Sequence, residues 1–421
     1  MNEVAYFPQI EAIKKAKENI KTIIAETSLQ KNLRLSNEFE ATVFLKREDL
    51  QIVRSYKLRG AFNKIQNLHQ DNKVNNGVVC ASAGNHAQGV AYSCSILKIK
   101  GVIFMPITTP KQKLEQVKMF GGDFAEIKLA GDTFDDSKNA AIAYSQENNA
   151  AFIHPFDDPL IIEGQATVGL EILEQAHQKI DYIFIPIGGG GLASGIASVF
   201  KQLSPETKLI GVEPKGAPSM KTSVENGYNT ELDHIDKFVD GAAVQKVGDL
   251  TFDICKDNLD DYIMVDEGKI CDIILQMYNR DAIVLEPAGA LSVAALEQYK
   301  EEIKGKNVVC ILSGSNNDIT RMEEIKERAL LYNGLKHYFI INFPQRAGAL
   351  KELVNEVLAP SNDISYFQYI KKNNRETGPA VVGIELDNKE DFDSLIARLE
   401  NHNFDYQYLN TDSTLYSLII G

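Results

Sequence analysis

Residues 182–195 read "YIFIPIGGGGLASG". An apolar run of strand length stops at four consecutive glycines, and a helical pattern follows. Glycines carry no side chain to pack and weaken any regular element. A run of them makes sense where backbone must approach a ligand. Gly188 to Gly191 would turn several N–H groups outward at the start of a helix. The helix dipole adds partial positive charge there, so a phosphate is the natural guest. Two other readings fit the same stretch. One is a flexible turn. The other is a dinucleotide site, because Gly188-x-Gly190-x-x-Ala193 matches that fingerprint. Glu213, about 20 residues on, would then be the ribose-binding acid.

The strand-then-helix unit recurs on both sides of this stretch. "GVVCAS", "GVIFMP", "KLIGVEP" and "NVVCILS" are short apolar runs. "HAQGVAYSCSILK", "TPKQKLEQVKMFG" and "IIEGQATVGLEILEQAHQ" lie between such runs and have helical periodicity. This alternation predicts an α/β fold of parallel strands covered by helices, with ligands at the carboxyl ends of the strands. "ATVFLKRED" reads as an earlier strand. Ile10, Ile13, Ile20 and Ile24 recur at helical spacing and predict an amphipathic first helix.

The pattern changes after about residue 320. "ITRMEEIKERALLYNG" reads as a charged helix ending at Gly334. Then come "LKHYFIINF", strand-like, and "PQRAGALKELVNEVLAP", helix-like. "DISYFQYIKK" and "PAVVGIELD" read as strands, "KEDFDSLIARLENHN" as a helix and "FDYQYLN" as a strand. The order β-α-β-β-α-β is the ferredoxin-like arrangement. A domain boundary is placed near residue 330, giving domains of residues 1–330 and 331–421.

The totals narrow the function classes. The 421 residues suffice for about two or three domains. A net charge of −14 argues against a nucleic-acid partner or an anionic membrane. Cys80, Cys94, Cys255, Cys271 and Cys310 are odd in number and form no CxxC pair. They read as buried apolar groups in a reducing cytosol, not as a disulfide framework or zinc site. The charged N-terminal stretch lacks the apolar run of a signal peptide, and no run of about 18 apolar residues occurs. A cytoplasmic protein is expected.

Other loops offer chemical groups. "SAGNHAQG", residues 82–89, follows an apolar run and opens a helix. Ser82, Gly84, Asn85 and His86 would present hydroxyl, backbone and amide donors there, which suits a carboxylate. A capping Ser or Asn explains the stretch equally well, and His86 by itself reads as a structural histidine. "LSGSN", residues 312–316, puts Ser313 at a strand end, where alone it reads as a turn serine. "EPAGA", residues 286–290, reads as a helix start with proline in its first turn. "SYKLRGA", residues 55–61, holds Lys57, which alone reads as a solvated charge.

Together these loops carry a resemblance. "SYKLRGA", "SAGNHAQG", "GGGGLASG" and "LSGSN" stand in the order found in pyridoxal-phosphate enzymes of the tryptophan-synthase-β fold type. More closely, the chain resembles the threonine dehydratase (threonine ammonia-lyase) family. "LKREDLQIVRSYKLRGA" is very similar to that family's lysine segment, and "FPQRAGAL" to the opening of its regulatory domain, usually written FPERPGAL. The resemblance covers nearly the whole chain. Tyr56 stands where Phe is usual, Ser315 where Ala or Gly is usual, and Ala347 where Pro is usual.

The resemblance implies a two-lobed catalytic region, the smaller lobe roughly at residues 50–150, followed by an ACT-like regulatory domain. It implies pyridoxal 5'-phosphate as cofactor, L-threonine as substrate, isoleucine and also valine as effectors, and a homotetramer. Lys57 resembles the lysine that holds the cofactor as a Schiff base, and so the catalytic residue. Asn85 resembles the residue bonded to the cofactor's phenolic oxygen. Gly188, Gly189, Gly190, Gly191 and Leu192 resemble the phosphate cradle, and Ser313 the partner of the pyridine nitrogen. Ser82, Ala83, Gly84, Asn85 and His86 resemble the loop that holds the substrate carboxylate.

Elementary chemistry agrees with this set. A lysine amine near its free pKa of about 10.4 is almost wholly protonated at neutral pH, so it needs burial to act as nucleophile or base. A serine at the pyridine nitrogen cannot hold a proton there firmly, as a carboxylate would. That favours prompt loss of a β-substituent over transamination. Serine racemases, close relatives of this fold, place a serine directly before the Gly-Asn-His of the second loop; here that residue is Ala83. They also bind a divalent metal. Glu213 and Ala217 match two of its ligand positions, but Ser219 stands where the aspartate is expected, so no metal site is expected.

Overall fold

The computed structural model describes residues 6–369, 376–411 and 415. The chain divides into two compact units between Ile319 and Thr320. In chain order the strands of the first unit are β1 (Leu29–Lys31), β2 (Thr42–Arg47), β3 (Val78–Ala81), β4 (Gly101–Met105), β5 (Ala125–Leu129), β6 (Ala151–Phe152), β7 (Tyr182–Pro186), β8 (Lys208–Pro214), β9 (Asp261–Val265) and β10 (Asn307–Leu312).

They form two sheets. The larger has the order β1-β2-β10-β7-β8-β9 and is parallel except for β1. The smaller, β5-β4-β3-β6, is wholly parallel. Its strands enter the chain between β2 and β7, so the smaller lobe is inserted into the larger one. The apolar runs read from the sequence fall on β3 and β4 of the smaller sheet and β7, β8 and β10 of the larger. Every residue of β3 and β4 is buried, as strands covered on both faces must be.

The crossover helices carry the small, close-packed residues. Helices Pro159–Gln175 and Gly191–Leu203 pack together beside the larger sheet, and their Val168, Ile172, Ile196 and Phe200 join Ile183, Ile185 and Leu209 in one core. The smaller lobe has its own core around Val78, Cys80, Ile103, Val90 and Ile65. The first helix runs Ile10–Ile20, shorter than the isoleucine spacing predicts. Ile24 lies beyond it, after a turn in which Ile23 and Ile24 donate to the carbonyl of Ile20. Ile24 still packs on Ile20, Val53, Leu58 and Phe62, so its spacing served packing and not helix length.

The second unit begins with helix Met322–Tyr332. Glu327 on that helix pairs with Lys336 at 2.7 Å and accepts from the Tyr338 hydroxyl at 2.5 Å. These bonds tie the helix to the tail sheet. The sheet strands are β11 (Lys336–Pro344), β12 (Asp363–Tyr369), β13 (Thr377–Glu385) and β14 (Asp405–Tyr408), antiparallel in the order β12-β13-β11-β14. The strand-like run "DISYFQYIKK" is described through Tyr369; its last three residues, 370–372, lie outside the described residues. Helical turns at Ala349–Val357 and helix Phe392–Asn401 supply Leu353, Val357, Leu395 and Leu399 to a core with Phe339, Ile341, Val382 and Ile384. The order is β-α-β-β-α-β. Among the described residues, no helix is long and apolar enough to cross a membrane.

Candidate active site

Loops leaving the carboxyl ends of β3, β6, β7 and β10 are tied to one another in the first unit. Lys57 is the first residue of helix Lys57–Gln70. Its amine donates to the carbonyl of Pro155 at 2.9 Å and lies 5.4 Å from the centre of the Tyr56 ring and 6.0 Å from that of Phe156. Burial pulls its pKa down to about 8, against the pull of the Glu286 carboxylate. About a tenth of the amine is then neutral at pH 7, far more than for a solvated lysine.

Two residues further on, Arg59 is fully buried. It bonds Glu48 at 2.8 Å and Glu171 at 2.6 Å, and Lys46 also bonds Glu171 at 2.6 Å. Burial works against the Arg59 charge, but Glu48 and Glu171 outweigh it and raise the guanidinium's pKa. Two cations face two anions, so the cluster is neutral and holds the first turn of the Lys57 helix against β2 and helix Pro159–Gln175.

The glycine loop follows β7. Gly190 has a φ of +93°, a left-handed conformation that favours glycine, and caps helix Gly191–Leu203. A Cβ at Gly189 would lie 2.2 Å from the Phe156 ring, and one at Gly190 would lie 2.8 Å from Thr251. The loop therefore has room for backbone alone. The first N–H groups of any helix lack intrahelical acceptors and face outward. Leu192 is buried in the core, so only its backbone is left to serve a ligand.

Phe156 belongs to the segment between β6 and helix Pro159–Gln175, which crosses from the smaller lobe to the larger. His154 Nδ1 accepts from the N–H groups of Phe156 and Asp157, at 3.3 and 2.8 Å. Burial pushes the His154 pKa down to about 4, so this acceptor persists at neutral pH. Asp157 in turn accepts from the backbone of Asp249 and Thr251.

After β3, Ser82 Oγ accepts from Gly84 N–H at 3.2 Å, shaping the turn into helix Asn85–Leu97. Ala83 brings no polar side chain. His86 is buried, and its Nε2 contacts the carbonyl of Ile153 at 2.9 Å. Burial holds its pKa down near 3, with the Lys57 charge acting the same way. Its ring is thus a structural group, and the helix N-terminus around it offers backbone donors. Asn85 does not cap the helix. Its Nδ2 donates to Glu286 Oε1 at 2.6 Å, and its Oδ1 accepts from Asn316 Nδ2 at 2.6 Å.

Ser313 follows β10. Its Oγ donates to the carbonyl of Ala288 at 3.2 Å, and its own carbonyl accepts from Tyr56 N–H at 3.2 Å. Ser55 and Gly314 form an isolated antiparallel bridge. The Lys57 segment and the Ser313 loop are therefore directly joined.

The donor set fits pyridoxal phosphate. A desolvated amine, a glycine cradle at a helix start and a strand-end serine lie on loops that touch. Two buried polar atoms there, Ser55 Oγ and Asn316 Oδ1, have no hydrogen-bond partner among the described residues. Glu213 does not favour the dinucleotide reading. It is buried, and its two oxygens accept from Met220 and Lys221 N–H, each at 2.8 Å, so the carboxylate is turned to its own backbone.

Glu286, Asn316, His154, Phe156 and Asp157 were not picked out as site residues by the sequence. "EPAGA" does start a helix, Pro287–Ala294, with proline at its first position. The glutamate before it, however, faces Asn85. For residues 154–157, a polar and aromatic loop after a strand end was the signal.

Fold and loops define a pyridoxal-phosphate-dependent enzyme, and comparison with known proteins agrees. The family model described as pyridoxal-phosphate dependent enzyme matches residues 20–314, and that described as the C-terminal regulatory domain of threonine dehydratase matches residues 327–419. The chain is 56% identical over 412 residues to the biosynthetic L-threonine dehydratase of Halalkalibacterium halodurans, covering 98% of this chain and 99% of that protein. It is 54% identical to that of Bacillus subtilis, covering 98% and 97%. Among solved structures, the processed form of threonine deaminase isoform 2 from Solanum lycopersicum superposes with a TM-score of 0.72 at 39% identity, covering 78% of this chain and 91% of that one. Maize serine racemase gives 0.71 at 31%, covering 78% and 99%. The chain belongs to the biosynthetic threonine dehydratases of the pyridoxal-phosphate-dependent enzyme family.

Proposed function

We propose that this chain dehydrates and deaminates L-threonine to 2-oxobutanoate and ammonia, the first step of isoleucine biosynthesis. The observation that carries the reading is the placing of the Lys57 amine on the Pro155 carbonyl, on a segment joined directly to the Ser313 loop, in a chain alike over nearly its whole length to biosynthetic L-threonine dehydratases. Pyridoxal phosphate supplies the electron sink that lets the substrate's Cα give up its proton.

The chain's residues do the rest. Lys57 would hold the cofactor, and its amine would serve as general base at the substrate's Cα. The backbone of Gly188, Gly189, Gly190, Gly191 and Leu192 would hold the phosphate, aided by the helix dipole. Asn85 would donate to the ring oxygen. Ser313 would face the ring nitrogen without fixing a proton there, which would favour elimination over transamination. Backbone and hydroxyl groups of Ser82 through His86 hold the substrate carboxylate. The Tyr56 and Phe156 rings flank the amine, their centres 5.4 and 6.0 Å from it. Ala83 has no group to move a proton, which supports a lyase over a serine racemase.

Residues 331–421 act as a regulatory domain that binds isoleucine, with valine as a second effector. The enzyme works as a cytoplasmic homotetramer; its five free, buried cysteines suit a reducing compartment. The test is direct. The purified protein should be yellow, and Lys57→Ala should abolish both the borohydride-reducible attachment and threonine deamination. A colourless, cofactor-free active protein would overturn the reading. Steady-state kinetics with threonine and serine, each with and without isoleucine, fix the substrate and effector.

A further inference from the structure

Asn85 has a donor end and an acceptor end, and its proposed role requires the donor end to face the ring oxygen. Two neighbours decide which way it points. Asn316 Nδ2 donates to Val53 O at 2.9 Å as well as to Asn85 Oδ1 at 2.6 Å, so both of its hydrogens are engaged. A reversed Asn85 would set amide against amide there. On the other side, Glu286 Oε1 accepts from Asn85 Nδ2 at 2.6 Å. A reversed Asn85 would set its oxygen against that carboxyl group. Asn85 Nδ2 keeps a second hydrogen for a ligand.

The seat of Glu286 is built for a carboxyl group. The side chain is buried. A Cβ on Gly314 would stand 2.3 Å from Oε1, and one on Gly241 3.6 Å from it. The glycine inside "LSGSN" therefore keeps room for the carboxyl beside Ser313.

We propose that Glu286 is a positioning residue of the cofactor site, orienting the Asn85 amide so that its remaining N–H faces the ring oxygen of the bound cofactor. The inference rests on the role proposed above for Asn85. Glu286 faces Lys57, Tyr56, the Asp240–Lys113 pair and the Asn316 backbone. Burial first, and then the Asp240 charge, push its pKa up to about 7, against the Asn85 bond, Lys113 and the Asn316 N–H. Near neutrality the bond to Asn85 thus changes from charge-assisted to neutral, and a charge-assisted bond is the stronger.

The test uses the holoenzyme and reads the visible absorbance of the bound cofactor between about pH 5.5 and 9, together with cofactor retention on dilution. The native protein should show a step near pH 7. Glu286→Gln keeps an acceptor of the same shape without the charge, so the step should vanish while the band stays near its low-pH position. Glu286→Ala should shift the band at every pH and weaken cofactor retention about tenfold, the loss of one oriented hydrogen bond. In an Asn85→Ala background, Glu286→Ala should add nothing to the band shift. A Glu286→Gln protein that keeps the native step, or an Asn85→Ala background in which Glu286→Ala has its full effect, overturns the inference. If Asn85→Ala alone leaves the band unchanged, the role of Asn85 falls, and the inference with it. Glu286→Gln is close to isosteric and carries the test if the alanine variant does not fold.

Discussion

Lys57 shows how far one side chain's surroundings set its chemistry. Its folded pKa is about 8, against an ordinary lysine value of 10.5. Below pH 8 both folded and unfolded chains hold the proton, and the folded cofactor-free chain bears the full penalty of burying it. Between pH 8 and 10.5 only the unfolded chain still holds the proton, so the penalty fades as pH rises. Lys57→Met should therefore stabilise the cofactor-free protein at pH 7 by up to about 3 kcal/mol, less whatever the lost bond to Pro155 contributed. The gain should be gone by about pH 10.5. Urea unfolding of both proteins at the two pH values tests this; an equal gain at both would sink the desolvation account. Arg59 predicts the opposite. Arg59→Met leaves Glu48 and Glu171 buried with Lys46 as their remaining cation. The expected loss is about 3–5 kcal/mol, read as a lower midpoint in urea. The sequence could mark Lys57 only through resemblance. A buried ion network is invisible in a single sequence, because its members (Lys46, Glu48, Arg59 and Glu171) lie on four different elements.

Among elements, strands and helices were the legible part, and the contacts between loops were not. β3, β4, β7, β8 and β10 fall on the apolar runs, since a strand covered on both faces must be apolar throughout. The glycine loop was legible for a related reason: no side chain fits there. Its partner was hidden. Phe156 lies 33 residues from Gly189 by their sequence numbers, and its ring fills the space a Gly189 side chain would need. This gives a double-mutant test. Gly189→Ala alone should destabilise the holoenzyme by about 1–3 kcal/mol through overpacking. In a Phe156→Ala background the same substitution should cost much less, because the three nearest atoms, 2.2–2.4 Å away, all belong to that ring. Gly190→Ala should not be rescued in this way, since its φ of +93° and its contact with Thr251 are untouched by Phe156. Thermal unfolding and cofactor retention of the variants decide it. Equal losses from Gly189→Ala in both backgrounds would remove Phe156 from the account. Glu286 was hidden differently. Its local reading as a residue before a helix holds, and only the fold brings it against Asn85, 201 positions away.

For the whole molecule, the tail's element order was readable from periodicity, because each strand or helix buries one face against a core of its own. The attachment of helix Met322–Tyr332 to the second unit was not, because it includes polar bonds that hydrophobic spacing does not register. That the second unit has a separate core provides a way to silence it without shortening the chain. Leu395 is fully buried among Phe339, Leu353, Val382 and Leu399. A carboxylate there has no partner in that apolar core and should cost several kcal/mol, a large share of the about 5–15 kcal/mol that stabilises a typical domain. Leu395→Asp should therefore unfold the tail and leave the first unit, whose cores share none of these residues, able to deaminate threonine. Isoleucine should raise the threonine concentration needed for half-saturation of the native enzyme by roughly 5- to 150-fold, the usual range of coupling between sites. Linkage requires a non-reacting threonine analogue to weaken isoleucine binding by the same factor. In Leu395→Asp both effects should vanish together while the cofactor's visible band is kept. If the variant loses its tail and is still inhibited by isoleucine, the effector acts on the first unit, and the regulatory role proposed for residues 331–421 is wrong.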